Sequence, residues 1–354
     1  MANKKYRQEK EASRFLLGVA GKSLMVKVSH RLGKWTYWID IGIAVAFGAV
    51  SALVVYGFAK IIEFSDRLQP LGLHPVFIVA LPGFGGLIVG AVAYIAKIRP
   101  SGGVTDVIES LSVKRRVLGD PKAILKPILA ALAIITGNPV GSDIMIGSQV
   151  SAQLAYLIRL PRERRRLHIA CGASAGLSAS LMIPLSAIAF AFEVILLEYT
   201  AFEFGMLAIS SATAFSFAKL LGLHSPVKMP TMSQISISDF IWFALLGVAC
   251  FAVGYAWANL TRLVEQLTKK IPFAPIIGPT ITGFSFGFIA LLAPGVWGPG
   301  YRVISELFAN NFTLVAIFGL LLGKMIGNSL VLGSGGAGGD LSPIVFLGAS
   351  VGAV

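Results

Sequence analysis

Charge is what this chain has least of. Only 13% of its 354 residues are Asp, Glu, Lys or Arg, against about 25% in an ordinary soluble protein. Cysteine is nearly absent. Cys171 and Cys250 are the two present, and both lie in apolar stretches, where they pack as small hydrophobes rather than form a disulfide or a metal pair. The histidines His30, His74, His168 and His224 show no metal-ligand spacing. No glycine-rich nucleotide-binding loop and no nucleophile–base pair is legible. These absences argue against an enzyme and against a bound metal or cofactor. No signal peptide is expected at the start of this sequence: the first apolar stretch is short and lacks a clean small-residue cleavage site.

What is present is apolar. The composition is 55% hydrophobic with a mean hydropathy of +0.78. About 20 apolar residues make one membrane-spanning helix, and such runs recur along the chain. The class is therefore an all-α polytopic membrane protein whose bulk partner is the lipid bilayer. The net charge of +13 is clustered. Lys4, Lys5, Arg7, Lys10 and Arg14 precede the first span; Lys114, Arg115 and Arg116 form one loop cluster; Arg159, Arg162, Arg164, Arg165 and Arg166 form another. The positive-inside rule puts these segments, the N-terminus included, in the cytoplasm of a cell with this protein in its plasma membrane. Because the charge flanks hydrophobic spans, it does not indicate a nucleic-acid partner.

Residues 1–38 read as a basic cytoplasmic lead-in. Spans or helices are predicted at Ile39–Ile62, Pro75–Ile98 (interrupted at Pro82-Gly83 and Gly85-Gly86), Thr105–Val113, Ala123–Thr136, Ile144–Ile158, Leu167–Ser180 and Pro184–Leu197. Further runs follow at Phe202–Leu221, Phe240–Leu267, Ile276–Leu292 and Leu314–Leu332, and a last helix starts near Leu341. Several of these runs are shorter than a bilayer crossing, and Gly/Pro breaks separate them. That pattern marks transporter and channel folds built from discontinuous helices.

One break stands out. Gly137-Asn138-Pro139-Val140-Gly141-Ser142-Asp143 ends one apolar run and opens another. Irregular backbone at membrane depth survives only where protein encloses it. A helix that begins there turns its free N–H groups and the positive end of its dipole toward the enclosed space, a place that attracts anions. Asn138-Pro139 terminates the first helix. Ser142-Asp143 is good chemistry for starting the second.

An internal repeat is also visible. Asp106–Leu111 resembles Arg302–Leu307, with the valines offset by 303 − 107 = 196, and Gly147–Ala152 resembles Gly348–Ala353, offset by 348 − 147 = 201. Both pairs follow a Gly-rich break and keep the same order. This predicts two related halves, residues 39–222 and 223–354, inverted and meeting at a midplane site. The equivalent of Glu193 would lie beyond Val354, so the second repeat reads as truncated.

At these residues the chain resembles the CLC family of chloride channels and proton-coupled chloride exchangers. Family members open anion-facing helices with G-S-G-I-P, G-R-E-G-P and G-x-F-x-P segments. Here the corresponding segments are Ser101-Gly102-Gly103-Val104-Thr105, Asn138-Pro139-Val140-Gly141-Ser142 and Gly339-Asp340-Leu341-Ser342-Pro343. The stretch from His168 through Gly172–Leu177 and Pro184 to Glu193 is the most specific match. The resemblance covers roughly residues 40–354 and implies a CLC-like fold, a small inorganic anion such as chloride as cargo, and a homodimer with one pore per subunit.

The resemblance also assigns residues. The backbone N–H groups of Val140, Gly141 and Leu341 become anion ligands. The ungapped register puts Gly102 on the family's anion-binding serine, a one-residue shift puts Ser101 there, and otherwise Gly102 and Gly103 contribute backbone. Asp340 replaces an apolar residue. A carboxylate 4 Å from an anion is repulsive by roughly 4 kcal/mol at an effective dielectric near 20. Asp340 therefore turns away as an N-cap, or is protonated, or the ion is not chloride. Lys126 matches a family lysine if three residues are deleted downstream; otherwise it snorkels to the interface. Glu193, inside an apolar run, is expected to make a structural hydrogen bond.

The departures bear on mechanism. The glutamate that competes with chloride in exchangers is Val140 here, and the internal proton glutamate is Val194. Valine neither titrates nor mimics an anion. The expectation is passive chloride-type conduction or uncoupled transport. The alternatives are a proton-coupled antiporter using other acids, such as Glu198 or Glu203, and a non-conducting membrane remnant or scaffold.

Overall fold

The computed structural model describes residues 37–65, 67, 72–100, 103–112, 120–141, 143–196, 200–228, 236–309 and 311–354. The regular elements among them are helices. They are α1 (Tyr37–Ser65), α2 (Pro75–Ala96), α3 (Val104–Ser112), α4 (Leu125–Ile135, led in by a 3-10 turn Pro121–Ile124), α5 (Asp143–Leu157), α6 (Arg162–Leu181) and α7 (Pro184–Phe190, continued by a π-helical turn Ala191–Leu196). The chain goes on through α8 (Ala201–Leu220), α9 (Asp239–Thr268), α10 (Ala274–Leu292), α11 (Tyr301–Phe308), α12 (Leu314–Gly333) and α13 (Leu341–Gly352). Six of them, α1, α2, α8, α9, α10 and α12, are long and apolar enough to span a membrane. The rest are shorter or more polar, as the broken apolar pattern predicts.

Three helices differ from the sequence reading. α2 is not interrupted at Pro82-Gly83. Its glycines form a contact face instead: a Cβ on Gly86 would fall 2.1 Å from the Pro279 carbonyl of α10, and one on Gly90 would fall 2.5 Å from that of Pro275. α10 answers with Gly283 and Gly287, whose Cβ atoms would strike the Pro82 carbonyl and Val79. Small residues let the two backbones touch, which is how helices associate where lipid removes the hydrophobic drive. α6 begins at Arg162, inside the basic cluster rather than after it. Arg164 is drawn in by Asp40 of α1, with Nη2 2.8 Å from Oδ2, and the fully buried His168 meets the other carboxylate oxygen at 3.0 Å. That lone histidine thus has a structural partner. The third difference is α11, an amphipathic helix too short to register as an apolar run.

The interior divides into packed clusters. One joins Val107 of α3, Ala152 of α5, Leu177 of α6 and Leu207 of α8; another joins Phe286, Trp297, Ile304 and Phe346 from the second half. A third spans both halves, with Val89, Ile134 and Val140 against Val331 and Ala337. Cys171 is buried, Cys250 half-buried, and both are free thiols. The N-terminal basic segment up to residue 36 and the Lys114–Arg116 cluster lie outside the described residues.

Candidate functional site

The irregular segments preceding α3, α5 and α13 converge. Gly141 N–H donates to the Gly339 carbonyl at 3.0 Å and Gly339 N–H donates back to the Gly141 carbonyl, an isolated antiparallel bridge between the starts of α5 and α13. Space is tight there: a Cβ on Gly141 would lie 2.1 Å from Ser342 Oγ and would make that hydroxyl move. Gly338, at φ +131°, lies against the Val140 side chain. Gly103, at φ +146°, brings the start of α3 onto the same point, because a Cβ there would sit 3.1 Å from Asp340 Oδ1 and 3.3 Å from Gly339 Cα.

The 137–141 loop is pinned from the second half. Gly137 adopts a left-handed φ of +87° beneath the Trp297 ring, and its carbonyl accepts from Gly298 N–H at 2.9 Å. Asn328 of α12, fully buried, donates from Nδ2 to the Pro139 carbonyl at 2.8 Å while its Oδ1 accepts from Trp257 Nε1 at 2.9 Å. A buried carbonyl freed by a proline needs such a donor. Asn138 closes the loop inward by donating to Thr136 Oγ1 at 3.2 Å.

Donor use at the bridge is uneven. Val140 N–H donates to the Asn138 carbonyl and Gly141 N–H to Gly339, so in this conformation both are spoken for. The first turn of α13 is different. Its N–H groups at Leu341 and Ser342 have no intrahelical acceptor, and Pro343 carries none. Asp340 stands at the N-cap with φ −102° and ψ −13°, but its side chain makes no capping hydrogen bond. The N-cap reading of Asp340 is therefore corrected: an αR backbone at this position does not set the carboxylate over the N2 and N3 donors, as the extended N-cap conformation does. Its Oδ1 is shielded and without a partner among the described residues, as is Ser342 Oγ, whose residue is 1% exposed.

The side chain of Val140 is fully buried in the apolar cluster between the halves. Lys126 does not snorkel. It is buried and ion-paired with Asp106 of α3. Glu193 departs from the expected structural hydrogen bond: it is exposed on the π-helical turn, with no side-chain hydrogen bond among the described residues, because that turn presents it outward. Val194 beside it is half-buried. Ser101, Gly102 and Glu198 lie outside the described residues. Glu203 is half-buried and accepts a hydrogen bond from the Thr200 cap of α8 at 2.8 Å.

Sequence reasoning missed Lys324, Asn328 and Ser342. Lys324 is fully buried in α12, donates to the carbonyls of Val296 and Gly298, and stands 4.9 Å above the Phe346 ring of α13. The repeat could have found it, since 324 − 126 = 198 lies between the offsets of the repeated blocks. A cavity of about 590 Å³ opens beside Asp340, lined also by Arg99, Asp106, Glu265, Lys269 and Ser334. Another of about 610 Å³, between Lys228 and α11, holds none of the bridge residues.

Residues 85–354 match the family described as voltage gated chloride channel. The chain is 27% identical over 309 residues to chloride channel protein CLC-f of Arabidopsis thaliana, covering 81% of this chain and 39% of the plant protein's length. Its fold superposes on a CLC-type fluoride/proton antiporter with a TM-score of 0.73 at 19% identity, over 89% of this chain and 80% of that one. A slow cyanobacterial chloride/proton antiporter gives 0.74 at 16% identity, over 87% and 76%. The bridged helix starts, the broken spans and these likenesses agree: the chain belongs to the voltage gated chloride channel family.

Proposed function

We propose that this chain moves a small inorganic anion of the chloride type passively across the cell membrane, as a channel or uncoupled transporter, at the junction of the α3, α5 and α13 starts. One observation carries the reading. The position aligned with the exchangers' competing glutamate is Val140, fully buried among apolar side chains, where neither titration nor anion mimicry is available. Val194 leaves the second proton position equally inert. The similar solved structures are a chloride/proton and a fluoride/proton antiporter; the cargo class carries over and the two-station proton route does not. The anion ligands in this reading are the α13 first-turn donors at Leu341 and Ser342, with Gly103 approaching from the start of α3 and the Val140 and Gly141 backbone forming the far wall; Ser101 and Gly102 stay candidate ligands by the family resemblance alone. Lys126 and Lys324 add buried positive charge to either side. Two copies associate, each with its own path, and the basic N-terminal segment faces the cytoplasm.

The test is reconstitution of the full chain in chloride-loaded liposomes. Chloride should leave down its gradient once potassium is allowed to compensate charge, and a chloride gradient should drive no uphill proton movement. Uphill protons would replace this reading with a proton-coupled antiporter that uses other acids. No flux from well-folded protein would leave a membrane scaffold.

A further inference from the structure

We propose that Asp340 is a tethered competitor for the α13 anion site, so that an anion binds there only together with a proton on this carboxyl group. The inference rests on the anion-moving reading above and adds to it a single control group. It concerns α13, not the Val140 position on α5.

Three observations converge on the first turn of α13. Asp340 occupies the N-cap without capping, and among the described residues its Oδ1 has no partner although protein shields it from solvent. Ser342, two residues on, is 1% exposed, and its hydroxyl, set against Gly141, is also without a partner. Buried hydroxyls and carboxylates are nearly always hydrogen-bonded, so two unpartnered ones at the start of one helix are open to a ligand. The N–H groups of Leu341 and Ser342 point out of the helix start at the same place. A mobile anion suits these donors, and an ionised Asp340 carboxylate beside them repels it, so the two negative charges exclude each other.

The charged surroundings leave Asp340 as the group that responds. Asp106 of α3 is held by Lys126 of α4. Glu265 of α9 and Lys269 just after it pair with each other at 2.6 Å, both exposed. Arg99, before α3, lines the cavity and favours negative charge there, whether fixed or mobile. The cavity-lining residues of α10 and α12, Ala274, Pro275, Leu332, Gly333 and Ser334, do not titrate. Exchange is then a balanced equilibrium: ionised Asp340, a proton and an anion on one side, neutral Asp340 with the anion bound on the other. By linkage, anion binding takes up protons, and the apparent affinity falls by up to about tenfold per pH unit above the titration of Asp340. One acid without a proton route past Val140 gates passage and does not couple it.

The test uses the full chain in detergent, with sodium chloride as the probe and sodium gluconate as the control. Adding chloride to weakly buffered protein should raise the pH as Asp340 takes up a proton, and chloride affinity should weaken steadily from pH 5 to pH 8. Asp340→Asn should abolish the proton uptake and flatten the affinity to within about threefold across that range. Ser342→Ala should weaken chloride at every pH while keeping the slope. The wild-type titration alone suffices if Asp340→Asn fails to fold. Chloride binding or liposome flux that ignores pH overturns the proposal and leaves the anion-moving reading standing. No chloride bound at pH 5, together with no flux, overturns both.

Discussion

Gly141 and Gly339 lie 339 − 141 = 198 positions apart and share a pair of backbone hydrogen bonds. The same separation relates the buried lysines Lys126 and Lys324 and the left-handed glycines Gly137 and Gly335. The starts of α5 and α13 are thus comparable structures facing each other, with the room beside Gly141 limited by Ser342. Gly141→Ala should be destabilising by about 1–3 kcal/mol through overpacking, since the new methyl would meet Ser342 Oγ at 2.1 Å. Adding Ser342→Gly should recover part of that loss, a non-additivity that a double-mutant cycle detects. Gly57→Ala, inside α1 where nothing lies within 4 Å, should not lower the melting temperature in detergent and raises it slightly if helix propensity tells.

Asn328 holds the loop that the bridge closes. It is isolated in sequence but joins Pro139 to Trp257 through both ends of its amide. Asn328→Leu leaves a buried carbonyl and an indole N–H without partners, at about 1–3 kcal/mol for such a loss. Thermal unfolding should show that drop. Anion flux should fall further than stability alone explains, because the Pro139 carbonyl precedes Val140 and Gly141 directly.

The Lys126–Asp106 pair makes a sharper distinction. The side chains are 5% and 13% exposed, so removing one partner strands the other in low dielectric. Lys126→Met should cost about 3–5 kcal/mol, whereas Lys126→Met with Asp106→Leu should fall near wild type, as replacement of a buried pair by apolar residues generally does. Urea unfolding of the single and double variants checks this. If the lysine acts on the anion as well, the double variant will fold normally and bind chloride more weakly.

Much of this was legible because it depends on local pattern. Spans announced themselves by apolar length, and α3, α5 and α13 by the glycine that precedes each. Apolar character at Val140 and Val194 could be read directly. What stayed hidden depends on which faces meet. The glycines of α2 look like helix breaks until Gly283 and Gly287 are known to lie opposite. Arg164 and Arg166 look like members of a solvated cluster until Asp40 and the Leu196 carbonyl claim them. Asp340 shows the limit most clearly. Its sequence context suits an N-cap, and only the αR backbone at that residue, set by the bridge one position earlier, leaves the carboxylate without capping donors.

Val140 gives the most direct test of transport. Its side chain fills the seam between the halves and touches Gly338, which has φ +131° and no room for a side chain of its own. A glutamate there could not stay among Ile134, Val331 and Ala337 while charged, because burying an ionised carboxylate without a partner costs far more than turning it out. The nearest outlet is the bridge, where the donors of α13 would accept it. Val140→Glu should therefore slow chloride flux at neutral pH and restore it as the pH falls and the new acid is neutralised. Asp340→Asn made in the same background should leave that pH response in place, since the new acid supplies it. Flux equal to wild type across pH 5 to 8 would mean that the Val140 position does not communicate with the anion path.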